Sequence, residues 1–159
     1  MTRSAQIRKR DTVHRVSESV APLRRGMVGL VPLEFRSAPQ AILAVKRGLP
    51  YSTIESLRKG THTSVEQLVQ QVGIAPRTLA RRKIEGRFHQ DESERLLRFA
   101  GLFEKACDLF EGDIEATKEW FSRPNLALGG ETPADYAKTE IGAREVENLI
   151  CRLEHGVFS

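Results

Sequence analysis

Leu68-Val69-Gln70-Gln71-Val72-Gly73-Ile74-Ala75-Pro76-Arg77-Thr78-Leu79-Ala80-Arg81-Arg82-Lys83 reads as a helix, a tight turn and a second helix. Gly73 supplies the left-handed backbone that a sharp turn needs. Pro76 suits the first turn of the second helix, where its missing N–H costs little. Leu68, Val72, Ile74 and Leu79 form a small core between the two helices. Arg77, Thr78, Arg81 and Arg82 are then left on the outside of the second helix. Arg82 stands where a further apolar residue is usual, and Ile84 is expected to take over that packing. The pattern is that of a helix-turn-helix whose second helix enters the major groove. Arginine suits the task because it reaches guanine edges bidentately or clasps phosphates. Such patterns are short, and a helical hairpin with an exposed basic face fits the same residues.

Helix signals surround this stretch. Upstream, an apolar pattern begins at Pro39 and stops at Gly48, a C-terminal glycine. A second helix carries Ile54 and Leu57 inward and is expected to end at Gly60. Ser64 and Gln67 have the spacing of a capping box ahead of Leu68. Downstream, Asp91 and Glu92 place acids in the first turn of a helix, where they complement its dipole. Its apolar stripe, from Leu96 through Phe103 to Phe110, is too wide for a solvent-facing helix and marks a core element. Gly112-Asp113 breaks the chain, and Ile114 to Phe121 forms the next helix. Thr132 is an N-cap with Pro133 at the first helical position. Gly142 is expected to separate that short helix from a last one over 143–154, which Gly156 ends. The fold class is therefore all-α.

The 159 residues are 40% hydrophobic and 29% charged, which is ordinary globular composition. No apolar run is long enough to span a bilayer. The N-terminus lacks the apolar stretch of a secretory signal, so cytoplasmic residence is expected. Cys107 and Cys151 are far apart and encode neither a disulfide framework nor a zinc ribbon. Both are expected to be buried in helices. His14, His62, His89 and His155 are scattered without zinc spacing, and no phosphate loop, dinucleotide motif or serine elbow occurs. No catalysis, cofactor or metal is expected.

Charge is segregated along the chain. Residues 1–40 carry a net +5, residues 41–90 a net +6 and residues 91–159 a net −7. The basic front attracts polyanions, with counterion release supplying affinity. The acidic back cannot hold a phosphate backbone and points to a different partner. Three regions follow: a basic N-terminal arm over 1–37, a DNA-binding and dimerisation region over 38–100, and a second helical domain with a short tail over 101–159.

A more specific resemblance lies in the C-terminal half. Trp120-Phe121, Pro124-Asn125, Leu128-Gly129-Gly130, Thr132-Pro133, Gly142 and Arg152-Leu153-Glu154-His155-Gly156 resemble the toxin-binding domain of Xre/MbcA/ParS-type antitoxins. Gly73-Ile74, Arg77-Thr78-Leu79, Arg81-Arg82, Gly86-Arg87-Phe88 and Asp91-Glu92-Ser93-Glu94-Arg95-Leu96 resemble the Xre-like helix-turn-helix of the same antitoxins. The likeness runs from about residue 38 to the C-terminus. It implies an antitoxin paired with a RES-domain, NAD-consuming toxin encoded by the adjacent gene. It also implies repression of its own operon through operator DNA, and a homodimer that presents two recognition helices.

On that basis Arg77, Thr78 and Arg81 are expected in the groove, and Arg82, Lys83 and Arg87 at phosphates. Trp120 and Phe121 are candidate toxin contacts, although aromatics of this size also pack small cores. The tail Gly156, Val157, Phe158 and Ser159 is a candidate plug for the toxin's substrate entrance. Phe158 would fill a pocket and the Ser159 carboxylate would meet an arginine. A stand-alone helix-turn-helix regulator without a toxin is the alternative, which the N-terminal part supports equally well, with the acidic half then serving dimerisation; a third reading is an adaptor that has lost DNA binding.

Overall fold

The computed structural model describes residues 37–156. The expectations for the arm over 1–36 and for Val157, Phe158 and Ser159 lie outside the described residues. The elements are α1 (Ala38–Arg47), α2 (Ser52–Thr61), α3 (Val65–Val72), α4 (Pro76–Glu85), α5 (Gln90–Leu109), α6 (Ile114–Ser122), a 3-10 turn (Leu126–Leu128), α7 (Pro133–Tyr136) and α8 (Glu140–Glu154). The fold is all-α, a helix-turn-helix followed by a smaller group of helices.

Helix α5 is the axis of the molecule, and α1, α2, α3, α6 and α8 all pack against it. Its stripe of Leu96, Phe99, Ala100, Leu102, Phe103, Ala106 and Cys107 is buried. One continuous core runs from Leu49 and Ile54 through α5 to Val146 and Ile150. The division expected at residue 100 falls inside α5, so both halves of the chain share this helix.

The connections are set by local chemistry. At the end of α3, Gly73 adopts φ 73°, Gly73 N–H donates to the Gln70 carbonyl and Ile74 N–H donates to the Val69 carbonyl. Those two bonds make a Schellman turn, which satisfies the last carbonyls of α3 and aims the chain into α4. The Ser64 capping box forms with both reciprocal bonds. Gly48 has φ 80°, and a β-carbon there would lie 2.0 Å from the Phe88 carbonyl oxygen. No other residue fits so close an approach. The link after α1 is in turn tied to the link after α4, with Phe88 N–H donating to the Leu49 carbonyl at 2.8 Å and Tyr51 N–H to Gly86 at 2.9 Å.

Several boundaries differ from expectation. Helix α2 continues past Gly60 to Thr61, because Thr61 Oγ1 donates back to the Leu57 carbonyl and His62 takes the left-handed position at φ 52°. Gly142 does not precede α8 but lies within its first turn, and Thr139 is the N-cap. A β-carbon at Gly142 would sit 1.8 Å from the Tyr136 carbonyl oxygen, so this glycine allows α8 to start against the end of α7. Cys107 is buried as expected, but Cys151 is exposed. The inward positions of α8 are Gly142, Ala143, Val146, Leu149 and Ile150, which put residue 151 on the outer side. Ile84 does not join the core and is 88% exposed. Among the described residues no helix is long and apolar enough to cross a membrane.

Candidate functional site

Helix α4 turns two unlike sides to its surroundings. Leu79 packs on the core and Arg82 is buried, whereas Arg77, Ala80, Arg81, Lys83 and Ile84 are exposed and Thr78 is half-buried. Arg87, just beyond the helix, is also exposed. Arg77, Lys83 and Arg87 form no ion pair among the described residues, and Arg81 lies 3.8 Å from Glu85. These cations therefore project from the second helix of the motif with little internal neutralisation. Their guanidinium and ammonium groups suit phosphate oxygens and guanine edges.

Arg82 corrects the expectation that it lies outside and touches phosphate. Its side chain is 2% exposed, and all three guanidinium nitrogens have internal partners. Nε donates to Glu92 Oε2 at 2.6 Å and Nη1 donates to Glu85 Oε2 at 2.6 Å. Nη2 donates to His89 Nδ1 at 2.9 Å. A guanidinium only donates, so His89 Nδ1 is the acceptor and the ring proton sits on Nε2. Glu92 also accepts from the His89 backbone N–H at 2.7 Å, which closes the N-terminus of α5. The network bolts α4 to α5 and fixes which residues of α4 face outward. The Glu92 hydrogen bond, together with Glu85, raises the Arg82 pKa against the opposing effect of burial. Burial pushes the Glu92 carboxyl up, but its bonds from Arg82 and the His89 N–H outweigh this and hold it below the usual carboxylate range.

Two cations of α5 are spent on structure. Arg95 Nη1 donates to the Gly73 carbonyl at 2.7 Å and so buttresses the turn of the motif. Arg98 pairs with Glu140 at 3.0 Å and joins α5 to α8. The acidic side chains of α6 and α8 are mostly exposed, which leaves this end of the molecule negative.

The aromatic pair separates. Phe121 is 1% exposed and lies among Phe99, Phe103 and Trp120, with ring centroids 5.3–5.8 Å apart. It is a core residue, which corrects its assignment as a surface contact for a toxin. Helix α6 must bury one side against α5, and Phe121 is on that side. Trp120 is half-buried between Phe110 and Phe121, with an accessible edge. Gly156 is exposed at φ 65° and ends the described chain.

Sequence reasoning missed two exposed apolar side chains in this half, Leu126 and Ile141. Leu126 is presented by a turn that Asn125 braces, its Oδ1 accepting from Ala127 N–H at 2.9 Å and its N–H donating to the Glu131 carbonyl at 2.9 Å. The available signal was spacing. Leu126 and Leu128 share one 3-10 turn, and with Leu128 buried, Leu126 is turned outward.

Comparison with known proteins agrees with this division of labour. Residues 40–101 match the Antitoxin Xre-like helix-turn-helix domain. Residues 105–156 match the Antitoxin Xre/MbcA/ParS C-terminal toxin-binding domain. The chain is 40% identical over 117 residues to Antitoxin Xre of Yersinia enterocolitica, covering 73% of this chain and 79% of that protein. It is 36% identical over 124 residues to Antitoxin Xre of Photorhabdus laumondii, covering 77% and 84%. A shorter match, 33% identical over 66 residues, relates it to Antitoxin Xre of Pseudomonas putida, covering 42% and 41%. With both matched regions folded around one shared helix, this chain belongs to the Xre antitoxin family.

Proposed function

We propose that this chain neutralises a RES-domain, NAD-consuming toxin encoded by the adjacent gene, and represses its own operon as a homodimer in the cytoplasm. The observation that carries the reading is the contrast of a basic and an acidic surface on one continuous core. A basic stripe projects from the second helix of the helix-turn-helix, and an acidic surface with exposed Leu126 and Ile141 covers the half that matches a toxin-binding domain. A toxin that binds NAD phosphates needs a basic cleft, which an acidic antitoxin surface complements. The domains in this reading are 38–100 for DNA and dimerisation and 101–159 for the toxin, with the arm 1–37 preceding them.

Arg77, Thr78 and Arg81 read the groove, while Lys83 and Arg87 clasp phosphates. Arg82 is a positioning residue and touches no DNA. Replacing Arg77 or Arg81 by Ala is expected to cost about 1–3 kcal/mol of binding and to relax specificity at one position. Lys83→Ala weakens binding to all sequences alike and lowers the salt slope by about 1. Titrations of operator duplex at several salt concentrations separate the two behaviours. Equal losses on specific and unrelated duplexes for Arg77→Ala would remove it from base reading.

For the toxin, the edge of Trp120 and the tail Gly156, Val157, Phe158 and Ser159 form the contact, with the tail covering the active site. Co-expression with the adjacent-gene product tests this. Full-length chain is expected to restore growth and preserve cellular NAD, and deletion of residues 156–159 to weaken both. Full protection by the truncated chain sinks the role of the tail. Absence of toxicity, or of rescue, leaves a stand-alone regulator instead.

A further inference from the structure

Ile84 has no partner among the described residues and lies in an unexpected place. Helical spacing puts Arg77, Ala80, Arg81 and Ile84 at i, i+3, i+4 and i+7, one continuous stripe along α4. Leu79 and Arg82 occupy the opposite side, and the bonds from Arg82 to Glu92 and Glu85 prevent the helix from rolling. Ile84 is therefore held at the outermost line of α4, 88% exposed, with Arg81, Lys83 and Arg87 around it. A β-branched apolar side chain there adds nothing to the core, and its helix propensity is modest. Glu85, the nearest acid in sequence, is bonded to buried Arg82 and lies 3.8 Å from Arg81, so it leaves Lys83 and Arg87 without a counter-charge among the described residues.

We propose that Ile84 contacts the 5-methyl group of thymine in the major groove and makes this chain prefer thymine at that position. This rests on the DNA-binding reading above. The argument is complementarity: surrounding cations call for a polyanion, and the apolar tip calls for an apolar spot within it. Duplex DNA offers that combination in the major groove, where the thymine methyl lies between phosphate backbones. The minor groove is narrower than a helix and carries no methyl. From Arg77 to Ile84 the helix advances about 10 Å at ~1.5 Å per residue, or about three base-pair steps. Ala80, small and between the arginines, lets the helix approach the base edges closely enough for Ile84 to reach its target.

The test uses the full-length chain and duplexes that it selects from a random-sequence pool. Each selected duplex is resynthesised with deoxyuridine for thymidine, which removes only the 5-methyl groups. Wild type is expected to bind the thymine duplex about four-fold tighter per contacted methyl, the worth of one buried methyl group. Ile84→Ala is expected to bind both duplexes alike, with an unchanged salt slope and a thermal midpoint equal to or slightly above that of the wild type. Ile84→Val is expected to keep most of the preference. Equal wild-type affinities for the two duplexes, or a preference that survives Ile84→Ala, overturns the proposal and leaves Ile84 as a solvent-facing side chain or a contact between copies. Failure of the wild type to enrich any duplex overturns the DNA-binding reading itself, a distinguishable result.

Discussion

Glu92→Ala is expected to destabilise the fold by about 3–5 kcal/mol, a large share of the stability of a small domain. The carboxylate is 3% exposed and lies against a guanidinium that is itself buried. Its removal strands the Arg82 charge out of water, and the loss of that compensation outweighs the loss of one hydrogen bond. It also frees the His89 N–H at the start of α5, so the helix that carries the core loses a cap. Urea unfolding followed by circular dichroism reads the effect. Replacing both partners with apolar residues, Arg82→Met with Glu92→Leu, is expected to recover most of the loss, because burying the pair was itself expensive. A loss below about 1 kcal/mol for Glu92→Ala would mean that water reaches the guanidinium.

The same pair gives the fold an acid limit. The folded Glu92 carboxyl is held below its ordinary range, so its contribution is complete above the unfolded pKa, about 4.3. It is lost as pH falls through the lower, folded value. Stability of the wild type should decline on that acid limb more steeply than that of the double apolar variant.

What the sequence disclosed, and what it hid, follows from the range of the interactions. Gly73, Ser64 and Thr132 act on backbone within a few residues, and each does in the fold what its local pattern implies, whereas Gly48 ends α1 as expected but is also required by the distant Phe88 carbonyl. Local pattern places Arg82 outside because its decisive partner, Glu92, sits on another helix. Helical periodicity puts it near an inward line that an apolar residue normally fills, and only the carboxylate across the gap allows a cation there. Ile84 lies in the stripe with Arg77 and Arg81, on the side of α4 opposite Arg82, so helical spacing carries it away from the core. Local patterning makes Gly142 a separator because a glycine within a first turn has no local signature. Its reason is the Tyr136 carbonyl, which only the packed α7–α8 corner brings close. The toxin-facing half was legible through a string of turn residues, while Leu126 and Ile141, the side chains it exposes, were hidden by ordinary apolar patterning.

Phe121 and Trp120 are adjacent in sequence, yet their replacement should have different consequences. Phe121→Ala is expected to cost about 3–5 kcal/mol, because the ring is fully enclosed and its neighbours Phe99 and Phe103 belong to α5, which is held by five other helices and has little room to collapse into the void. The damage would spread beyond α6, since α5 also carries the helix-turn-helix. Toxin neutralisation and DNA binding should therefore fall together in this variant. Trp120→Ala removes a half-buried ring at the rim of the same cluster, so its cost to the fold should be smaller, and DNA binding should persist. If the exposed edge of Trp120 meets the toxin, neutralisation alone is lost, and the ratio of the two activities becomes the diagnostic. Trp120 is also the one tryptophan of the chain, so its fluorescence reports on this corner directly. In the Phe121→Ala protein the emission should move to longer wavelength at a lower urea concentration than in the wild type. On adding toxin to the wild type, the emission should move to shorter wavelength as the edge leaves water. An unshifted emission in a complex that still forms would place the contact elsewhere on the acidic surface, with Leu126 and Ile141 the next side chains to replace.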